Sequence, residues 1–422
     1  MTSKNQIPAI LPETFEAIVS PWLTGITRGD IVAVMSYPAS DRQRRFLNLL
    51  DDIQLQKQYL GNHQGYLWIS MDFRVDPIDD VTDLEETILR KLAQSTHVSH
   101  QSTTSFQNTI KAFEKRHHKK IILAAFGCEN IIATRRSSLL IWFTTICRQD
   151  ILRMLLFFEA NLLAPDALAF LGRVPAFQPR ISILKLYKET DSRQFILRMC
   201  RQEWNMKVSE MFQTQIINQC GGVFLLIKEA LWHLRDHPKA TMPDVFDHLE
   251  MHMNLASLWH GFSKPEQNVF VKLIKTEEMT TDDQPSLDYL FATGFLVRNG
   301  HTIRVTVPLL VSYIKHIVSK GKIFTQKGGV LFLDGVPVDA YFSKKERDVM
   351  KVFISRIKTI VSRQQIADIL WPNDDGDHYS DWAIDSHISR IRSKLTKLGV
   401  DTTLLETKKK EGFIFHQHKE TL

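Results

Sequence analysis

Between Ile384 and Lys397 the side chains are arranged to meet a polyanion. At about 3.6 residues per turn, Ile384, Ile388, Ile391 and Leu395 fall on one narrow stripe. His387, Arg390, Lys394 and Lys397 gather on the opposite side, with Ser389 and Arg392 flanking them. An apolar back with a front of cations and small hydroxyls suits the major groove of duplex DNA, where Arg grips guanine edges while Ser and Lys hold phosphates. Further on, Thr407-Lys408-Lys409-Lys410 forms a second cationic point. From Ser386 to Lys419 there are eight Lys/Arg against three Asp/Glu, whereas Pro372–Asp385 carries five Asp and no Lys or Arg. Cations therefore converge on the helix and on the segment after it, as a phosphate-binding face requires. The acidic stretch must point away from a duplex.

The elements that would position these groups are marked locally. Ser343-Lys344-Lys345-Glu346 and Ser362-Arg363-Gln364-Gln365 both read as capping boxes. In each, the Ser hydroxyl accepts from an amide of the first turn and the acidic or amide side chain three residues on reaches back. Each opens an apolar helix, the first through Val349, Met350, Val352, Phe353 and Ile357, the second through Ile366, Ile369, Leu370 and Trp371. Val330–Val338, two apolar runs about Asp334-Gly335, predicts a hairpin. Leu404–Thr407 and Gly412–Phe415 predict two strands joined by Lys408, Lys409, Lys410 and Glu411. The order is strands, three helices, then a hairpin with a basic tip.

This layout resembles the DNA-binding domain of OmpR/PhoB-type response regulators, a winged helix-turn-helix, over residues 322–417. The match runs through Phe342-Ser343-x-x-Glu346, Ser362-Arg363-x-x-Ile366, Leu370-Trp371, Ile384 to Leu395 and Thr407-x-Lys409-x-x-Gly412-Phe413. The family usually has Arg at Lys409, Tyr at Phe413, Gly at Lys410 and a basic residue near Trp382. The resemblance implies that the helix Trp382–Lys397 lies in the major groove, with His387, Ser389, Arg390 and Arg392 toward bases or nearby phosphates. Lys394, Lys408, Lys409 and Lys410 would contact phosphates, the last three from the wing, beside Thr407. It also implies that the Asp374–Tyr379 loop can touch RNA polymerase.

The chain has 422 residues, enough for two to four domains, with 44% hydrophobic and 24% charged residues. A net charge of +6 and a pI near 9.0 permit nucleic-acid binding. Cys128, Cys147, Cys200 and Cys220 lack metal-ligand spacing, so reduced, buried thiols and no metal site are expected. No stretch reaches the ~18 apolar residues of a membrane span, and no signal peptide opens the chain. A cytoplasmic protein acting at the nucleoid is expected.

Residues 1–250 alternate buried-strand runs (Ile31–Met35, Tyr66–Ser70, Ile121–Phe126, Leu155–Phe158, Ile181–Leu184) with helices Arg42–Leu60, Asp83–Ala93, Phe106–His117 and Ser138–Cys147. Such alternation predicts a parallel sheet covered on both faces. From Ser192 to about Met251 the pattern is helical, broken at Gly221-Gly222. The organisation resembles the nucleotide-binding core of AAA+/STAND signalling ATPases with decayed motifs. Where a phosphate loop should read G-x-x-x-x-G-K-[ST], this chain has Ser36-Tyr37-Pro38-Ala39-Ser40-Asp41-Arg42-Gln43. Both glycines are gone, Pro38 removes an amide donor, Asp41 adds negative charge and Gln43 replaces the Mg²⁺-ligating hydroxyl. Only Arg42 keeps a cation, so residual nucleotide binding would centre there. After the third strand, Phe126-Gly127-Cys128-Glu129 lacks the adjacent acidic pair. No ATP hydrolysis and no cofactor are expected.

Residues 252–318 read as helix (from Lys264-Pro265-Glu266-Gln267), helix (Ser286–Ala292) and hairpin (Phe295–Val305), a second winged-helix-like unit. Arg298, His301 and Arg304 are on its surface, but its second helix has little positive charge, so a packing or relay role is expected. Ser319–Lys322 is the expected hinge. The fold class is then an α/β three-layer P-loop-like domain with a helical lid, followed by winged-helix domains. Its parts are a core at 1–190, a lid at 191–251, a relay domain at 252–318 and the DNA-binding module at 322–417. The preferred function is a sequence-specific transcriptional regulator, not an enzyme, acting on double-stranded DNA as a homodimer. The alternatives are a nucleotide-switched signalling ATPase with DNA-binding output and a replication-initiator-like protein.

Overall fold

The computed structural model describes residues 8–76, 78–96, 105–300, 302–320, 324–333, 335–372, 381–398, 400, 402–409 and 411–416. It divides into two compact units, Met1–Val245 with Leu258–Pro308, and Phe246–Ser257 with Leu309–Leu422.

The first unit is built on five strands, β1 (Ile31–Met35), β2 (Tyr66–Asp72), β3 (Lys120–Phe126), β4 (Arg153–Phe158) and β5 (Arg180–Ile183), in the order β2-β3-β4-β1-β5. Every pairing is parallel. β1 is buried along its whole length, as a strand covered on both faces must be. The covering helices are α1 (Pro12–Arg28), α2 (Arg42–Asp51), α3 (Ile53–Leu60), α4 (Val81–Thr96), α5 (Phe106–His117), α6 (Glu129–Ala133), α7 (Ser137–Arg148) and α8 (Pro165–Leu171). The single helix expected over Arg42–Leu60 is two. Asp52 breaks it because its carboxylate accepts from the Leu55 amide at 3.0 Å and so caps α3.

The helical stretch that follows contains α9 (Glu189–Arg198), a π turn at Met199–Glu203, α10 (Glu210–Cys220), α11 (Phe224–Asp236), α12 (Met242–Phe246) and α13 (Leu249–Gly261). Gly221 and Gly222 separate α10 from α11 with φ of 57° and 85°. A Cβ on Gly222 would lie 2.1 Å from the Tyr187 carbonyl oxygen, so only glycine fits the approach. Then come α14 (Lys264–Lys275), α15 (Gln284–Thr293) and the antiparallel hairpin β6 (Leu296–Asn299) and β7 (Thr302–Val305), the helix, helix and hairpin that the sequence predicts; His301 lies outside the described residues. These elements pack on the sheet: Tyr289 donates to the Ser36 carbonyl oxygen at 2.9 Å, and the Tyr37 and Phe295 rings meet edge to face at 5.3 Å.

The second unit holds α16 (Pro308–Lys320), most of which belongs here, then a three-stranded antiparallel sheet of β8 (Phe324–Lys327), β9 (Val330–Leu333) and β10 (Val336–Pro337). Next come α17 (Lys344–Ser355), β11 (Ile360–Ser362), α18 (Arg363–Leu370), α19 (Asp381–Lys397), β12 (Leu405–Lys408) and β13 (Gly412–Phe415). β13 pairs antiparallel with both β11 and β12. One core joins Phe324, Leu331 and Leu333 to Val349, Phe353, Ile366, Leu370, Phe413 and Phe415. Residues 321 and 322 of the expected hinge lie outside the described residues. The four cysteines are free and buried. Among the described residues no helix is long and apolar enough to cross a membrane, and no cluster of His, Cys, Asp and Glu could hold a metal.

Candidate nucleic-acid interface

Both expected capping boxes form. The Ser343 amide donates to Glu346 Oε2 at 2.7 Å and the Ser362 amide to Gln365 Oε1 at 3.0 Å, fixing the starts of α17 and α18. α19 then lays Ile384, Ile388, Ile391 and Leu395 into the core, each at most 1% exposed. Full burial of four such side chains contributes about 1.5–3 kcal/mol apiece, which holds the helix in one rotational setting.

That setting separates the cations. Arg390 and Ser389 are exposed, together with Trp382 (78% exposed), Ser393 and Thr396. His387 and Lys394 are not on this front, contrary to the sequence reading. At ~100° per residue they sit roughly a quarter-turn from the apolar stripe, on the flank facing α17. His387 is half-buried and meets the Trp371 ring edge to face at 5.9 Å, with its Nδ1 buried and unpartnered. Burial, with Arg390 and Lys345 nearby, lowers its pKa, outweighing the opposite pull of Glu346. Lys394 forms an ion pair with the buried Glu346 and lies over the Phe342 ring. Burial raises the Glu346 pKa, but the Lys394 ammonium and the Ser343 donors overcome it and the carboxyl ends below its ordinary value.

On the other flank, Arg392 ties helix to wing. Its Nη2 donates to the Leu405 carbonyl oxygen at 2.6 Å and to Thr407 Oγ1 at 2.8 Å, and its Nε to the same carbonyl at 3.2 Å. The Asp residues at the start of α19 are likewise engaged. Arg363 donates to Asp385 at 2.8 Å and to Asp381 at 3.3 Å while its guanidinium lies over the Phe413 ring. In the wing, Thr407 and Lys409 are exposed, and Lys408 pairs with Glu406 at 2.7 Å. Lys410, Asp374–Tyr379 and the side chain of Lys397 lie outside the described residues. The structure thus brings together Arg390, Ser389 and, from outside the sequence-derived set, Trp382 and Ser393. The missed signal was angular: opposite the apolar stripe stand Ser386 and Ser393, and attention to charge alone passed over them.

At the carboxyl end of the parallel sheet, where ligands of open α/β sheets usually sit, the loop after β1 leads into α2. Ser36 is buried, its hydroxyl donating to the Phe158 carbonyl oxygen at 3.0 Å. Asp41 pairs with the fully buried Arg45, and Gln43 is exposed. Arg42, 5% exposed, pairs with Glu159, a residue the sequence reading did not single out. Glu129 accepts from the Glu159 amide at 3.0 Å.

Residues 339–415 match the family described as "Transcriptional regulatory protein, C terminal". The response regulator protein GraR of Staphylococcus aureus strain MRSA252 is 34% identical over 77 residues, which are 18% of this chain and 33% of that protein. GraR of Staphylococcus haemolyticus gives the same figures. The chain therefore spans about a third of the length of the curated relatives it matches. Among solved structures, a Walker-type ATPase of Pyrococcus abyssi aligns over 74% of this chain and 99% of its own, at 12% identity and a TM-score of 0.49. The ORC2 protein of Aeropyrum pernix aligns over 75% and 96%, at 12% identity and 0.45. The C-terminal segment is a winged helix of the OmpR/PhoB type.

Proposed function

We propose that this chain is a sequence-specific DNA-binding transcriptional regulator. α19 enters the major groove, with Arg390 at a base edge and Ser389, Ser393 and Lys409 at phosphates. The observation that carries this is the outward face of α19: one exposed guanidinium among hydroxyls, on a helix whose apolar stripe is fully buried, in a segment matching the regulator family. Arg392 and Lys394 act from behind, holding the wing and the helix flank. Lys408 and Lys410 add wing charge.

In this reading the first unit turns over no ATP and works as a scaffold or sensor. A nucleotide-switched ATPase is the second reading, favoured by the strand–loop–helix at β1 but opposed by Pro38, the absent glycines and Asp41. The protein works in the cytoplasm at the nucleoid, as a homodimer on repeated half-sites because one module buries little surface, and the Asp374–Tyr379 loop contacts RNA polymerase. Genome-wide occupancy of the full chain tests the proposal. Many promoter peaks sharing one motif are expected, a single peak at an origin would favour an initiator, and no retention on duplex DNA even at low salt would overturn it.

A further inference from the structure

Glu159 directly follows β4, the strand beside β1, and its carboxylate reaches the loop that follows β1. The Ala39 amide donates to Glu159 Oε1 at 2.8 Å, Arg42 pairs with Oε2, and Arg74 stands 3.6 Å from the same oxygen. The Glu129 carboxylate, by accepting from the Glu159 amide, fixes where the side chain starts. Arg42 is almost fully buried and its Nε has no partner, so this cation is placed for an enclosed anion and not for water. A backbone amide of the loop and the guanidinium of the first residue of the ten-residue helix α2 together form an anion cradle. Here the anion is a side chain. The neighbouring acids are committed elsewhere, Asp41 to Arg45 and Asp72 to Arg74.

We infer that the loop after β1 is an anion site whose resident ligand is the chain's own Glu159 carboxylate. This rests on the reading of the first unit as nucleotide-inactive and goes further, because it makes the exclusion of phosphate reversible by one substitution. The cradle does not depend on Glu159 for its shape. Tyr289 holds the Ser36 carbonyl, Phe295 packs on Tyr37, and Pro38 lies where a Cβ on Gly261 would be only 2.4 Å away. Removing the carboxylate should therefore leave a vacant cradle and not a collapsed loop.

The test uses the full chain with inorganic pyrophosphate and, separately, MgATP, read by thermal shift and titration calorimetry. The wild type should show no anion-dependent shift. Glu159→Gln, which keeps shape but not charge, and Glu159→Ala should bind pyrophosphate at least tenfold more tightly than wild type and melt higher in its presence. Arg42→Ala added to Glu159→Ala should abolish the gain. A second arm needs no ligand: Arg42→Ala alone should lower the melting temperature, and Glu159→Gln added to it should restore part of the loss by removing the uncompensated charge. Folded variants that gain no anion binding, or a gain that survives Arg42→Ala, would overturn the inference while leaving the nucleotide-inactive reading intact. If both Glu159 variants fail to fold, absence of coupling in the second arm overturns it. Wild-type binding of MgATP at the millimolar level would sink both.

Discussion

Arg392 offers the sharpest test of how α19 works, because charge alone would place it on DNA and its contacts place it on the wing. Its guanidinium makes three hydrogen bonds, at 2.6, 3.2 and 2.8 Å, to one carbonyl and one hydroxyl of β12. With two of the three sharing the Leu405 oxygen and the side chain only half-buried, their net contribution is about 2 kcal/mol. Arg392→Ala should therefore lower the stability of the second unit by that amount in urea unfolding. It should also weaken binding to specific and scrambled duplexes by similar factors, since a loosened wing costs every sequence alike. Arg392→Lys should recover no more than about half, because a single ammonium cannot span both acceptors in the fork geometry of a guanidinium. Fluorescence anisotropy on labelled duplexes, alongside the unfolding curves, gives both readouts. An unchanged unfolding midpoint combined with collapsed discrimination between the two duplexes would put Arg392 at a base edge and refute the reasoning.

Arg390→Ala should cost about 1–3 kcal/mol on the specific duplex, relax discrimination and leave stability unchanged, as anisotropy against single-base variants of the site would read. Lys409→Ala should weaken all sequences alike and reduce the slope of log affinity against log salt by about 0.9; an unchanged slope removes Lys409 from the phosphates. Glu346→Gln keeps the capping box but takes the carboxylate from Lys394. It should lower stability by about 1–2 kcal/mol, less than a fully buried pair would lose because Lys394 is 30% exposed, and steepen the salt slope by up to about 0.9. Burial, Arg390 and Lys345 depress the folded-state pKa of His387 against the weaker pull of Glu346, so the unfolded state binds the proton more readily. Stability of the second unit should be full above pH ~6.5 and fall as acid takes the pH down through the folded value. His387→Asn should flatten that part of the pH profile.

The sequence showed what burial and local hydrogen bonding write into neighbouring residues. The inner strands β1, β3 and β4 were legible because strands covered on both faces are continuous apolar runs, while the edge strands β2 and β5 are only partly buried; α17 and α18 were legible because each capping box closes within four residues. β8 was not legible: Thr325, Gln326 and Lys327 are all exposed and leave no period-two alternation. The break at Asp52 was hidden because the amphipathic pattern of Arg42–Leu60 continues through it, so only the cap reveals two helices. At the interface, the fully buried stripe of α19 was correct, but the state of each cation depends on partners far along the chain. Glu346 lies 48 residues from Lys394, and Glu159 lies 117 from Arg42. Periodicity carries no record of such pairs.

The two groups of arginines and lysines obey one rule, which also bears on what signal the first unit could use. In each unit a cation that composition would assign to an external phosphate is held by an internal carboxylate, Lys394 by Glu346 and Arg42 by Glu159. A nucleotide switch works because the terminal phosphate is present in one state and gone in the other. If the first unit is nucleotide-inactive as proposed, a carboxylate attached to the chain cannot leave by hydrolysis, and a loop held by Glu159 would stay in one state whatever the nucleotide pool. Control would then come from a ligand or partner with unequal affinity for two conformations. Within the first unit, α15 and the residue leading into the β6–β7 hairpin meet the loop through Tyr289 and Phe295, so that packing is where a change in these elements would register.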